Sequence, residues 1–307
     1  MTTTATPPTS QSSSRLRLFG TVPALRGWAV ASLVVNALII VTGAVVRLTD
    51  SGLGCATWPQ CNGTSYVYQP EYGIHGAIEF GNRLLTFVLV AVAIGTAVTA
   101  FRVRATAAGA SMRPIRTLAL VIGLGIPLQG VIGGITVLTH LNPWVVALHM
   151  VLSVAIISLC VVMLHRTYDT AAITVSPLVR RLVLTIAAVS GVVIVLGTIV
   201  TGAGPHAGDG AAQRNGISPE LAAHIHAWAV WLLVICTVIL LVLTRSRLVA
   251  TLLAVQLLQG AIGYIQYFTG LPIVGVALHM AGLALLVAAT AHVYWRMRDV
   301  ASHTNAG

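Results

Sequence analysis

The chain has 307 residues, of which 57% are hydrophobic and only 8% are charged, and its formal net charge is +10. Since a soluble domain carries roughly 25% charged residues, this composition excludes an ordinary water-soluble protein and indicates a polytopic membrane protein. The apolar runs are continuous rather than alternating, which also excludes a membrane β-barrel.

Eight hydrophobic stretches follow one another, each long enough to cross a bilayer core as an α-helix of about 20 residues. We predict spans at residues 27–47, 76–100, 116–138, 143–164, 178–201, 219–243, 248–268 and 272–295. Residues 1–26 precede them, and because the first fourteen are rich in Thr, Ser and Pro, we predict a disordered N-terminal tail. The fold class is therefore all-α integral membrane, with eight transmembrane helices.

The distribution of the positively charged residues indicates how the chain is oriented in the membrane. All 17 basic residues are arginine, and 14 of them fall at the two ends or in alternate loops. Only Arg47, Arg83 and Arg214 fall on the opposite side. The positive-inside rule then predicts that both termini are cytoplasmic, and it argues against a nucleic-acid partner. Arginine without lysine, with abundant Ala, Val and Gly, indicates a bacterial protein of the cell membrane.

An internal repeat divides the chain. Residues 129–150 read QGVIGGITVLTHLNPWVVALHM and residues 259–280 read QGAIGYIQYFTGLPIVGVALHM, with 12 of 22 positions identical. A weaker match relates residues 41–55 to 195–209. Such repetition predicts two tandem, pseudo-symmetric four-helix bundles. We place them at residues 27–165 and 178–296, with a cytoplasmic linker at 166–177 and a cytoplasmic tail at 297–307.

Histidines occur within these apolar helices. The repeat places His149 and His279 at equivalent positions, and the sixth span contributes His226 in HIHAW. A polar side chain inside a membrane generally has a partner or a function. Two imidazoles that face each other across a helix bundle can bind a haem iron axially. His226 and His279 therefore predict a haem site in the C-terminal half, with nearby glycines, Gly263 among them, making room for it.

The N-terminal half departs from this pattern. It offers His149, but Asn82 stands where the repeat would place a second histidine. This difference favours a more exchangeable haem in the N-terminal half. His75, two helical turns before Asn82, is a further candidate ligand.

Glu79 lies within the second predicted helix, three residues before Asn82. A carboxylate there needs a partner or a function. Arg83 follows one turn later and is a candidate ion-pair partner. The functional interpretation is a proton acceptor beside a reacting haem.

Cys55 and Cys61 lie in the first outer loop, within GLGCATWPQC. In an oxidising compartment such a pair can form a disulfide. The sequence leaves open whether this bond would hold the loop or exchange electrons or thiols.

Together these motifs resemble the haem A synthase family. The resemblance runs over residues 27–296 and rests on CATWPQC, IEFGNR, the two copies of VALHM, TGAGPHAGD and HIHAW. It implies oxidation of the C8 methyl group of haem O to a formyl group by successive hydroxylations, for terminal oxidase biogenesis. It also implies haem O synthase as a candidate partner and leaves the electron acceptor unknown.

The resemblance also implies residue roles. A resident haem b lies between His226 and His279, while the substrate haem O binds in the N-terminal half near His149, with Glu79 as the catalytic carboxylate. Members of the family carry a further histidine where this chain has Asn82. Since arginine suits haem propionates, the candidate propionate or haem-site partners are Asn82, Arg83, Arg47 and Arg214.

Two other functions fit parts of the pattern. A dihaem membrane cytochrome b would only carry electrons, and it would be expected to place haems toward both membrane faces. A haem transporter or chaperone would bind haem without oxidising it and would not need Glu79. The outward position of the candidate ligands argues against the first, and Glu79 argues against the second.

Overall fold

The computed structural model of the protein describes residues 19–300. Within that range the long helices are α1 (Val22–Leu48), α2 (Gly73–Arg102), α3 (Arg113–Leu138), α4 (Pro143–Thr167), α5 (Pro177–Ala203), α6 (Pro219–Thr244), α7 (Arg247–Phe268) and α8 (Ile273–Arg296). All eight are long and apolar enough to cross a membrane. The predicted all-α membrane fold is confirmed, and the predicted spans agree with the helices to within a few residues.

Capping side chains and prolines fix where several helices begin. Ser176 and Ser218 accept hydrogen bonds from backbone N–H groups in the first turns of α5 and α6. Pro177 and Pro219 follow at the first helical position, where a missing N–H costs nothing. These local signals explain why the sequence alone places the two helix starts closely.

The structure changes the predicted boundaries of the N-terminal and C-terminal tails. Helix α1 begins at Val22, capped by Thr21, so residues 22–26 are helical and do not belong to a disordered tail. At the other end, strand β2 (Asp299–Val300) pairs in parallel with β1 (Thr174–Val175), inside the predicted linker. The start of the predicted C-terminal tail is therefore tied to the linker between the halves. The rest of both tails, residues 1–18 and 301–307, lies outside the described residues.

Helix contacts give each half the same order of neighbours. In the N-terminal half α1 packs on α2 and α4, and α3 packs on the same two helices. In the C-terminal half α5 packs on α6 and α8, and α7 packs on the same two helices. The halves meet along α1, α4, α5 and α8. This arrangement fits the predicted tandem bundles, and the symmetry between them stays a prediction.

The densest apolar packing lies toward the ends of the helices that carry most of the arginines, which we call the inner end. One cluster in the N-terminal half includes Leu25, Ile115 and Met163. Its counterpart in the C-terminal half includes Val183, Leu240 and Leu252. The histidines of interest lie toward the opposite, outer end, where α2, α4, α6 and α8 begin. Apolar packing therefore anchors each bundle on one side and leaves the outer side for polar groups.

Candidate functional site

Three histidines lie at similar depth near the outer end. His149 and His279 are six residues into α4 and α8, and His226 is seven residues into α6. At a rise of about 1.5 Å per residue, each imidazole lies about 9–11 Å below the start of its helix. All three side chains are half-buried. The three rings therefore lie at the shared level that the repeat predicts, and their role as ligands stays a prediction.

In the C-terminal half the two histidines face each other. Helices α6 and α8 both pack on α5 and α7, so they occupy opposite corners of the bundle. His226 and His279 are close enough to interact electrostatically across that gap. The Nδ1 atom of each ring is buried beside a backbone carbonyl of a neighbouring helix, that of Val193 for His226 and that of Gln259 for His279, although neither contact reaches full hydrogen-bond geometry. Among the described residues no hydrogen bond reaches Nε2 of either ring, so Nε2 is the nitrogen that each imidazole can offer to a bound group.

Each imidazole rests against a glycine of a neighbouring helix. A Cβ atom at Gly197 would lie 3.3 Å from Cε1 of His226, and one at Gly263 would lie 3.5 Å from Cε1 of His279. In the N-terminal half a Cβ at Gly133 would lie 3.4 Å from Cε1 of His149. A Cβ at Gly197 would be a tight contact, whereas one at Gly133 or Gly263 would be in ordinary van der Waals contact, so only a side chain larger than alanine would press on those two rings. The glycines therefore allow the rings their present orientations.

The N-terminal half has one such histidine. His149 also has a buried Nδ1 without a partner in the described part of the chain. Its backbone carbonyl accepts a hydrogen bond from Nε2 of Gln129 at 3.1 Å. Asn82 is half-buried, and its Oδ1 accepts a 2.7 Å hydrogen bond from the Thr42 hydroxyl. Asn82 therefore already has a side-chain partner, unlike Nδ1 of His149.

Glu79 is 5% exposed and both carboxylate oxygens are engaged. Oε2 accepts from the backbone N–H of Cys55 at 2.6 Å, and Oε1 accepts from Arg83 at 2.5 Å and 3.1 Å. The candidate ion pair with Arg83 is thus present. A buried carboxyl group is costly unless it is paired and hydrogen-bonded, and Glu79 has both kinds of partner here.

Arg83 and the disulfide fix the first outer loop. Cys55 and Cys61 form a disulfide, as expected. Arg83 donates to the carbonyl oxygens of Cys55, Thr57 and Gln60 at 3.0–3.2 Å. All three guanidinium nitrogens are therefore used within the loop and by Glu79. Arg83 acts as the link between α2 and the loop.

Trp58, between the two cysteines, turns toward the bundle. Its indole lies so close to Gly134 that any side chain there would collide with it. Gly134 is the neighbour of Gly133, which faces His149. The loop thus inserts an aromatic ring against α3, beside the residue that follows Gly133, and the sequence pattern did not predict this contact.

His75 lies in the first turn of α2 and is exposed. Its Nδ1 is 3.1 Å from the hydroxyl oxygen of Ser51. This contact directs the ring toward the loop. Its role as a substitute ligand stays a prediction.

Arg47 and Arg214 converge on the α5–α6 loop. Arg47 donates to the carbonyls of His206 at 2.6 Å and Thr201 at 2.9 Å. Arg214 donates to those of Ala212 and Pro205. The two guanidinium groups interact electrostatically, and within the described residues neither has a carboxylate partner. Two neighbouring positive groups without an acid suit an anionic ligand.

Sequence reasoning missed two of the three glycines. Gly263 was among the glycines predicted to make room for a haem in the C-terminal half, whereas Gly133 and Gly197 were not predicted. The 130-residue repeat offset relates Gly133 to Gly263, and the weaker repeat relates Gly197 to Gly43. Applying the repeat to the glycines as well as to the histidines would have identified Gly133. Gly197 required the contact between α5 and α6, which only the structure supplies.

Comparisons with known proteins extend these observations. A family model described as COX15-CtaA, cytochrome oxidase assembly protein, matches residues 26–291. The chain is 29% identical over 183 residues to "Heme A synthase" of Lysinibacillus sphaericus, covering 57% of each protein. It is 33% identical over 127 residues to "Heme A synthase" of Symbiobacterium thermophilum, covering 41% of this chain and 39% of that protein.

A third relative carries a different name. "Protoheme IX farnesyltransferase" of Halobacterium salinarum is 32% identical over 131 residues, which cover 43% of this chain and 28% of that protein. The chain thus spans 57% or less of the length of each of these relatives.

Proposed function

Since the chain belongs to the cytochrome oxidase assembly family described as COX15-CtaA, we propose that it is a haem A synthase. In this proposal it oxidises the C8 methyl group of haem O to a formyl group for terminal oxidase biogenesis. The observation that carries the proposal is the pair of imidazoles, His226 and His279, which lie at one depth on opposite helices of the C-terminal bundle in a chain of this family. The similarity to proteins named heme A synthase supports the same activity.

The C-terminal half suits a resident haem b. His226 and His279 would supply its axial nitrogens, and Gly197 and Gly263 leave the rings free to turn toward it. When bound there, such a haem supplies one-electron redox chemistry. The protein's own contribution is to hold two neutral imidazoles at one depth on opposite helices.

The N-terminal half suits the substrate haem. His149 would bind haem O from one side, while Asn82 on α2 is a weak iron ligand already engaged by Thr42. A single strong ligand favours exchange, which a substrate requires and a resident cofactor does not. His75 remains the candidate for additional ligation.

Glu79 would accept the protons that the methyl group releases. Converting a methyl group to a formyl group with water removes four electrons and four protons, so the site needs a base and an electron acceptor. Hydrogen bonds from Arg83 and from the Cys55 N–H hold the Glu79 carboxyl group in place for this role. The identity of the electron acceptor lies outside the proposal.

Arg47 and Arg214 are the best candidates for the haem propionates, because they are adjacent and, among the described residues, lack a carboxylate partner. Arg83 is less suited, since Glu79 and the loop already occupy its donors. The Cys55–Cys61 disulfide holds the loop whose Trp58 packs on Gly134 of α3, and thiol–disulfide exchange there would release that loop.

We further propose that the chain resides in the bacterial cell membrane with both termini cytoplasmic, because the arginine-rich inner end suits the cytoplasmic face. The similarity to a protein named protoheme IX farnesyltransferase supports functional contact with haem O synthase, which farnesylates haem to make the substrate.

Coexpression with a haem O synthase tests the activity. Haem extracted from purified protein should contain haem A, and Glu79→Gln should lower haem A formation at least about 100-fold, the usual contribution of a positioned acid or base. Chromatography of the extracted haems measures both haem A and haem B. Arg113→Gln, on an exposed arginine at the inner end, is the control.

Resident haem B should persist in Glu79→Gln. A variant that still makes haem A at the wild-type rate would remove Glu79 from the chemistry. A wild-type protein that holds haem B but never yields haem A would instead favour an electron carrier or a haem carrier.

A further inference from the structure

Two histidines outside the candidate haem sites meet at the inner end. His165 lies near the end of α4 and His292 near the end of α8, and Nδ1 of His292 is 2.9 Å from Nε2 of His165. The rings stack at 4.8 Å, and Trp295 also stacks on the ring of His165. From His279 to His292 is 13 residues along α8, or about 20 Å. This pair is therefore remote from the proposed haem level.

Each ring retains one nitrogen without a partner. The mutual hydrogen bond uses one nitrogen of each, and within the described residues nothing bonds to Nδ1 of His165 or Nε2 of His292. Both side chains line a cavity of about 450 Å³ between α1, α4, α7 and α8. The remaining lining is apolar apart from Thr251, with Leu33, Val255 and Leu285 on different helices. The cavity lies at the seam between the two halves.

Arg296 adds an uncompensated charge beside this cavity. It lies one turn after His292 and interacts electrostatically with both imidazoles. Its Nε atom is buried and unpaired among the described residues. At this end of the described chain, the acidic side chain that forms an ion pair is Asp299. Its partner is Arg298 and not Arg296. The half-buried guanidinium of Arg296 has no carboxylate partner among the described residues, and a guanidinium in this setting suits an anionic ligand.

We propose that an anionic phospholipid binds at this seam, with its phosphate at Arg296 and at the one outer N–H that the hydrogen-bonded pair of His165 and His292 retains, and with an acyl chain in the cavity. Guanidinium and imidazole N–H groups donate to phosphate oxygens, and the apolar walls accommodate hydrocarbon. Basic pockets between transmembrane helices at the cytoplasmic face bind such head groups. The lipid would bridge α1 and α4 of one half to α7 and α8 of the other, and it would stabilise their contact.

The test uses full-length protein in mild detergent. After delipidation, phosphatidylglycerol and phosphatidylcholine with identical acyl chains are added, and binding is followed by native mass spectrometry together with the midpoint of thermal unfolding. Wild type should bind one phosphatidylglycerol tightly and gain thermal stability from it. Phosphatidylcholine should bind at least about tenfold more weakly, a difference of about 1.4 kcal/mol.

Two variants separate charge from cavity. Arg296→Gln should lower phosphatidylglycerol affinity about tenfold, while Arg113→Gln should not change it. Ala288→Phe keeps every charge but fills the cavity, so it should also prevent binding. Haem content should be unchanged in all three variants, because the candidate haem ligands lie at the outer end of the bundle and the cavity lies at the inner end.

Equal affinity for the two lipids, or wild-type binding by both Arg296→Gln and Ala288→Phe, would overturn the proposal. So would purification of the protein with one quinone per chain and no anionic lipid, because the cavity would then have a neutral occupant. None of these results depends on haem A formation, so they leave the enzymatic proposal untouched.

Discussion

The two halves of the chain share an order of helix contacts and differ in what they place at the outer end. The C-terminal half brings two imidazoles together from α6 and α8. The N-terminal half has an imidazole on α4 and an asparagine on α2, and it adds a buried carboxylate and a disulfide-bonded loop. The contrast suggests how one scaffold, once duplicated, can hold a cofactor permanently on one side and exchange a similar molecule on the other.

The largest effects are expected from two variants, each of which removes one candidate haem ligand. One variant changes the C-terminal half and the other changes the N-terminal half. His279→Ala should lower resident haem B more than about tenfold, because one axial ligand alone binds the iron weakly. His149→Ala should leave haem B near wild type and abolish haem A. The absorbance of purified protein and chromatography of extracted haem measure the two outcomes. If both variants lost haem B equally, the division of labour between the halves would be wrong.

The next effect concerns the glycines behind the rings. Gly263→Val should push the imidazole of His279 out of position and reduce haem B several-fold, because its Cβ would already lie 3.5 Å from the ring. Gly133→Val should act on haem A formation instead. Gly260→Val is a matched control on the same helix, since no atom lies within 4 Å of a Cβ built at that glycine. Loss of haem in the control would show that any valine there disturbs α7.

A third variant makes the N-terminal half resemble its partner. Asn82→His should supply a second imidazole and raise the haem retained per purified chain, while slowing turnover because product leaves more slowly. Asn82→Gln keeps an amide and serves as the control. Haem-to-protein ratio and the rate of haem A formation report the two effects. Unchanged retention would mean that residue 82 does not face the bound haem.

The smallest effect concerns the disulfide-bonded loop of the N-terminal half. Replacing both cysteines, in Cys55→Ser with Cys61→Ser, should cost about 2 kcal/mol or less, because the closed loop is short. Glu79 and Arg83 would still hold the loop by hydrogen bonds. Haem B should be unchanged while haem A formation falls by a smaller factor than in Glu79→Gln. A fall as large as that of Glu79→Gln would indicate that the cysteines take part in the redox chemistry.

Much of the fold could be read from local sequence. Hydropathy over about 20 residues placed the helices, because this signal depends on neighbouring residues alone. The serine caps before Pro177 and Pro219 are equally local signals that were not used for the prediction. The spacing of the repeat also placed His149 and His279 at one depth. The tail boundaries were less accurate, since the start of α1 at Val22 and the pairing of β1 with β2 lie outside the most hydrophobic windows.

Other features of the site required the tertiary structure. The sequence established that His226, His279 and Glu79 lie inside membrane helices, since hydropathy and spacing are properties of the chain. It could only suggest Arg83 as a partner for Glu79, and it gave no sign that the Cys55 N–H completes the pair, that Trp58 packs on Gly134, or that His165 meets His292. Those contacts join residues far apart in sequence. They depend on how helices rotate and cross in the bundle, which is decided by the packing of all the helices together.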